Sequence, residues 1–227
     1  MPIEAVIFDL DGTLATFNLD YKALRGEVKE YLIQNGVPSS VLPVANETIF
    51  EMMKKAEIFY KNNGKPKQSF IAARAKCLAI AEKYEMEAAA NTNLLPGAVE
   101  ALKELGKMKI KIGLCTTSSE KAANYILKRF KIDDLFKVVV PRDKVKRVKP
   151  DTEQYELALK TLGVRPNSAL IIGDSKVDMQ SAKELKVIAV GLPTGFATTE
   201  ELIASGANYI ITSLVDLPVL IKKIDKV

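Results

Sequence analysis

The chain has no histidine among its 227 residues, and this absence excludes more chemistry than any residue present. Without imidazole there is no Ser-His-Asp or Cys-His nucleophile and no histidine metal site. Tryptophan is missing as well, and aromatics make up only 7% of the chain, a poor basis for a platform on which nucleic-acid bases stack. Cysteine occurs twice, at Cys77 and Cys115, far apart and in apolar surroundings. That usage gives neither a disulfide framework nor a zinc knuckle, so both thiols are expected in the core. No apolar run approaches the roughly 20 residues of a membrane helix. The first residues carry no basic leader, and Glu4, Asp9 and Asp11 interrupt what hydrophobicity they have. A cytoplasmic, reducing location without a membrane partner is the expectation.

What remains for chemistry is carboxylates, hydroxyls, lysines and hard cations, and an acid-rich site favours magnesium over zinc. The net charge of +5 is spread along the chain, with one denser run at Arg142, Lys144, Lys146, Arg147 and Lys149. A solvated loop accounts for most of that run. With no recognisable nucleic-acid motif beside it, no nucleic-acid partner is expected.

The length suits one sizeable core, or a core domain carrying a smaller insert. From about residue 94, short β-branched runs at 110–115, 137–140, 169–172, 187–190 and 209–211 alternate with helical patterns at 97–105, 120–130, 152–162, 177–185, 199–205 and 214–221. Strands separated by helices of this length imply βαβ units and a mostly parallel sheet. Residues 3–8 supply one more such strand. Between residues 16 and 93 no convincing strand occurs, and apolar residues recur every three or four positions over 21–35, 41–62 and 69–87. This segment is read as a helical insert, 16–93, in an α/β core formed by 1–15 and 94–227.

The chemistry concentrates at predicted strand ends. Residues 3–8 run into Asp9-Leu10-Asp11-Gly12-Thr13, two carboxylates at a glycine turn. A period of two places Asp9 and Asp11 on one side of the sheet, although Gly12 invites a break near Asp11. Open α/β sheets bind ligands at this edge. After 110–115 come Thr116-Thr117-Ser118-Ser119, hydroxyls leading into a helix, which suit a phosphate cradle and also a helix cap from Ser118 or Ser119. Val148-Lys149-Pro150-Asp151 follows, with the proline expected at a helix start where it fixes the lysine before it. After 169–172 stands Gly173-Asp174-Ser175-Lys176-Val177-Asp178, a second acidic pair leaving a buried strand.

These four motifs, in this order, resemble the haloacid dehalogenase superfamily, and within it the phosphoglycolate phosphatase-like branch. The second resemblance rests on Phe8 through Leu14, Leu95-Pro96-Gly97, and Gly206-Ala207-Asn208-Tyr209 through Ile211. It implies a Rossmann-like, mostly parallel sheet flanked by helices, with an inserted all-helical cap. It implies a magnesium-dependent phosphatase acting on a small phosphorylated metabolite, as a monomer or homodimer, through an aspartyl-phosphate. Asp9 would be the nucleophile and Asp11 the acid and base. Thr116 and Lys149 would assist catalysis, and Gly12, Thr13, Thr116, Thr117 and Lys149 would surround the phosphate. Asp9, the Asp11 carbonyl and Asp174 would hold the metal, with Asp178 acting through water or a second-shell contact. The cap would close over the site, and one of its cations, such as Arg25, Lys54 or Arg74, would select an anionic substrate. Ala15-Thr16-Phe17 departs from the branch, which often has a small apolar residue, Asp and Ser there; Thr152 replaces a usual proline.

A dehalogenase or a Schiff-base phosphonate hydrolase of this fold would normally lack the second acid, so Asp11 argues against both, although Lys22, Lys54 and Lys55 are available. A sugar phosphomutase would keep all four motifs. A non-catalytic binding module is disfavoured by the presence of Asp9, Asp11 and Asp174.

Overall fold

A computed structural model of the chain describes residues 2–42 and 48–226. These residues form two compact units, Met1–Asn18 with Ala89–Val227, and Leu19–Ala88.

The first unit is built on six strands: β1 (Ala5–Phe8), β2 (Lys111–Cys115), β3 (Val138–Val140), β4 (Ala169–Gly173), β5 (Ile188–Gly191) and β6 (Tyr209–Ile210). They lie in the order β3-β2-β1-β4-β5-β6, and every pairing is parallel. The expected mostly parallel sheet is therefore parallel throughout. β1 is central, with Phe8 opposite Leu114 on one side and Ile172 on the other. Chain order reverses between β1 and β4, the crevice where open α/β sheets bind ligands.

The central strands β1 and β4 are apolar and buried along their whole length because both faces are covered. Val6 and Phe8 point into one core with Ile112, Leu114, Leu170 and Ile172. Ala5 and Ile7 point into the other with Cys115, Ala169 and Ile171. Helices α4 (Ala98–Lys107), α5 (Glu120–Arg129) and α9 (Leu217–Ile224) cover the first face through Leu102, Ile126 and Ile221. Helices α6 (Glu153–Leu162), α7 (Lys176–Leu185) and α8 (Thr199–Ser205) cover the second through Tyr155, Leu159, Met179 and Leu202.

The second unit is helical: α1 (Tyr21–Gln34), α2 (Ile49–Asn62) and most of α3 (Lys67–Asn91). Leu24, Val28 and Leu32 of α1 share a core with Met52, Met53 and Ala56 of α2 and Cys77 and Ala81 of α3. The helix expected over 41–62 is described only from Ile49; residues 43–47 lie outside the described residues. Thr48 caps it with a reciprocal Glu51 contact, a capping box. No described helix is long and apolar enough to cross a membrane.

Several boundaries differ from the sequence reading. α6 begins at Glu153 with Thr152 at its N-cap, so Pro150 stands in the preceding turn and not at a helix start. The helix expected over 214–221 is a short 3-10 segment, Leu214–Asp216, followed by α9 with Pro218 in its first turn, where a missing N–H costs nothing. In the basic run, Arg142 is only 4% exposed, contrary to a solvated loop. Lys149 is buried as well, whereas Lys144, Lys146 and Arg147 are exposed, with Lys144 paired to Glu120 and Arg147 to Asp151 and Glu153.

Candidate active site

β1 ends at Phe8, but Asp9 continues the ladder for one residue by donating its N–H to the Ile172 carbonyl at 2.9 Å. Asp11 lies beyond the ladder, in a turn closed by Gly12 N–H to Ala15 carbonyl at 2.8 Å. The strand period thus fixes Asp9 and not Asp11, because the break comes earlier than expected. Gly12 has φ +86°, and a Cβ there would overlap the Asp174 carboxylate. Both constraints demand glycine.

Four motif residues converge at this sheet edge. Lys149 Nζ donates to Asp9 Oδ1 at 2.6 Å, to Asp178 Oδ1 at 2.7 Å and to the Cys115 carbonyl at 3.1 Å. Asp174 accepts from Thr13 Oγ1 at 3.2 Å. One carboxylate oxygen from each of Asp9, Asp174 and Asp178 lies within 4.8 Å of the others, and all three residues are buried.

Three buried carboxylates lie beside one ammonium, and burial and charge together shift Asp9, Asp174 and Lys149. Burial lifts the Asp9 carboxyl from 3.8 to about 7; Lys149 opposes the shift and Asp178 adds to it. Burial, then the negative charges of Asp9 and Asp178, holds Asp174 well above the usual carboxylate range. Burial disfavours charge on Lys149 too, yet Asp178 and Asp9 outweigh it and raise the lysine. The cluster is short of positive charge, and its donors are all oxygen. That set fits a hard divalent cation such as magnesium.

The remaining sequence-predicted residues are placed as follows. Thr116 is buried, and its Oγ1 accepts the Ser118 N–H at 3.0 Å. Thr117 is half-buried, and its carbonyl accepts from the Arg142 guanidinium at 3.3 Å. Asp11 is reached by Ser118, whose Oγ donates to Asp11 Oδ2 at 2.6 Å. Ser119, not Ser118, caps α5 by accepting the Ala122 N–H. Thr13 turns its hydroxyl to Asp174 and not toward an open cradle.

Sequence reasoning missed the residues that hold these groups in place. Gln154, fully buried, donates to the Thr116 carbonyl at 2.8 Å and the Val140 carbonyl at 3.1 Å, and accepts the Lys149 N–H at 3.1 Å. Tyr155 donates to Asp178 Oδ1 at 2.7 Å, and Ser175 Oγ donates to Asp178 Oδ2. Thr194 Oγ1 donates to the Gly12 carbonyl, and Gly195 lies against Asp174 where a Cβ would clash. A polar Gln154 on the apolar stripe of a helix was a usable signal. Thr194 and Gly195 carried none. Phe17, at the departure from the branch pattern, packs edge-on against Phe196 with ring centroids 4.5 Å apart.

The family model for haloacid dehalogenase-like hydrolases matches residues 6–192. A Pseudomonas putida N-acetylmuramic acid 6-phosphate phosphatase is 28% identical over 99% of this chain and 96% of its own length. A phosphoglycolate phosphatase from the same organism is 27% identical over 92% of this chain and 76% of its own. Among solved structures, a hydrolase from Pseudomonas syringae superposes with a TM-score of 0.66 at 26% identity, covering 99% of both chains.

Proposed function

The chain belongs to the haloacid dehalogenase-like hydrolase family, and on that premise we propose that it is a magnesium-dependent phosphatase that hydrolyses a small phosphomonoester through an aspartyl-phosphate. The observation that carries this reading is the position of Lys149 between Asp9 and Asp178, beside Asp174, at the carboxyl ends of β1 and β4.

Asp9 is the nucleophile: its carboxylate forms a bond to phosphorus as the phosphorus–oxygen bond to the alcohol breaks. Asp11 gives the departing oxygen its proton, then as carboxylate takes one from the water that cleaves the acyl phosphate. Lys149, already on Asp9, neutralises charge on the nucleophile and the transferring group, and Thr116 with neighbouring loop N–H groups faces the phosphoryl oxygens. Asp9, the Asp11 carbonyl and Asp174 would hold magnesium. Asp178 supports from outside, since its two oxygens already accept from Lys149, Tyr155 and Ser175. When bound, the cation reduces the repulsion between a carboxylate nucleophile and a phosphate dianion.

The helical unit is read as the cap that selects the leaving group. Glycolate and N-acetylmuramic acid, the leaving groups named by two relatives, are both carboxylated alcohols. The phosphomonoester of an anionic alcohol is therefore the substrate class proposed here. A panel of phosphorylated metabolites assayed with magnesium tests the reading, with phosphoglycolate set against a neutral-tailed phosphomonoester. Equal kcat/KM for the two would sink the substrate class, and no phosphate release from any ester would sink the phosphatase.

A further inference from the structure

We infer that Ser118 is a positioning residue for Asp11, fixing the carboxylate that handles the proton of the leaving group. The inference rests on the role given to Asp11 above.

The run from Thr116 to Ser119 puts four hydroxyls in sequence, and three of them divide distinct tasks. Ser119 Oγ accepts the Ala122 N–H at 3.3 Å and caps α5. Thr116 Oγ1 accepts the Ser118 N–H at 3.0 Å. With the cap filled by its neighbour, the Ser118 hydroxyl is released from the helix and donates to Asp11 Oδ2 at 2.6 Å.

The backbone under Ser118 is held from both sides. Its N–H is taken by Thr116, and its carbonyl accepts the Arg142 N–H at 3.2 Å. The buried Arg142 guanidinium also donates to the adjacent Thr117 carbonyl at 3.3 Å. Arg142 sits in the 3-10 segment Arg142–Lys144, directly after β3. Ser118 is thus a hydroxyl on a fixed mount, joined to the ends of β2 and β3.

Asp11 needs such a mount because it lies outside the strand. Asp9 is set by the β1 ladder and by Lys149; Asp11 is half-buried in the turn after it. A carboxylate must stand within hydrogen-bond reach of the oxygen it protonates, and a displacement of about 1 Å can cost on the order of a hundredfold in rate. The Ser118 contact selects one Asp11 rotamer before substrate arrives.

Leaving-group dependence tests this. Glycolate needs a proton to depart from phosphoglycolate, whereas p-nitrophenolate leaves p-nitrophenyl phosphate without one, and kcat/KM reports the step in which either departs. Wild type, Ser118→Ala, Ser118→Thr and Asp11→Asn are compared with both esters in magnesium, the best-hydrolysed alkyl phosphate of the panel replacing phosphoglycolate if it is turned over faster. Ser118→Ala is expected to lower kcat/KM for the alkyl ester about 10- to 100-fold while changing the aryl ester little, with Ser118→Thr recovering most of the activity on the alkyl ester. Equal losses on both esters, or none on either, would overturn the positioning role. Asp11→Asn separates the layers of the argument. If it discriminates by leaving group and Ser118→Ala does not, the role of Asp11 stands and that of Ser118 falls. If Asp11→Asn lowers both esters equally, the role of Asp11 as acid fails first.

Discussion

Asp178 Oδ1 accepts the Lys149 ammonium at 2.7 Å with both side chains almost wholly buried, at 0% and 2% exposure. The lysine is thereby anchored from below while it reaches Asp9. Removing the cation leaves three carboxylates in one dry cluster. Lys149→Met is expected to cost about 3–5 kcal/mol of stability in the absence of divalent ions, with magnesium recovering part of it. Urea denaturation in EDTA and in magnesium measures both; an unchanged midpoint in EDTA would show that the pair carries no such weight.

Asp9→Asn is expected to abolish turnover while the fold persists. The substitution removes the attacking oxygen and keeps the shape and the ladder bond of the main chain. Near-normal phosphate release from p-nitrophenyl phosphate by this variant, in magnesium, would exclude the covalent route.

Gln154 ties two motifs together, since one buried amide serves the Thr116 carbonyl and the Lys149 N–H. Replacement by Leu takes the amide away from three backbone groups at once, the Thr116 and Val140 carbonyls and the Lys149 N–H. The expected loss is about 1–3 kcal/mol for each backbone group that loses its bond, read as a lower denaturation midpoint. A loss confined to activity, with stability intact, would contradict this account.

Gly12→Ala is expected to destabilise by about 1–3 kcal/mol, the usual range for forcing a side chain into a left-handed backbone. It should also push Asp174 from its place, because the new Cβ occupies the carboxylate's space. For the wild type, magnesium at a hundred times its Kd should add about 2.7 kcal/mol of stability; in Gly12→Ala and in Asp174→Asn that gain should shrink. Thermal shift against magnesium concentration distinguishes the three proteins.

Cys77 gives a pH prediction far from the acidic cluster. Burial pushes its thiol from 9.0 to about 12, so the folded protein retains a proton that the unfolded chain gives up sooner. The stability this contributes is complete below pH 9.0 and is lost as the pH rises toward about 12. Cys77→Ala should therefore flatten part of the alkaline decline in stability. Cys115 is buried and likewise raised, so in the native state neither thiol should react with iodoacetamide at pH 8, and both should react in urea.

Much of the fold was legible because each strand is a short β-branched run and each helix carries an apolar stripe. The boundaries that slipped did so for local reasons. Alanines 88–90 have no stripe, so periodicity stops at 87 while strong helix propensity carries α3 to Asn91. Val41 and Leu42 extended the apparent period of α2 upstream of its true signal, the Thr48 and Glu51 box. In the site, Asp9 and Asp174 could be picked out by their place just past predicted strands, and Lys149 and Asp178 by their place beside or within the first turns of predicted helices. The side chains that support them were hidden, because a contact such as Thr194 to the Gly12 carbonyl depends on two distant loops meeting.

The central place of β1 has a consequence for biosynthesis. The strand that leads to Asp9 leaves the ribosome before the other strands of its sheet, yet Ala5 pairs with Lys111 on one edge and Ala169 on the other. One edge must wait for β2, near the middle of the chain, and the other for β4, in its last third, while α1, α2 and α3 bury their faces within one contiguous stretch. Long-range parallel pairing of this kind is slow and exposed to aggregation. The segment most costly to leave unprotected during synthesis is therefore the one that carries Asp9, the proposed nucleophile.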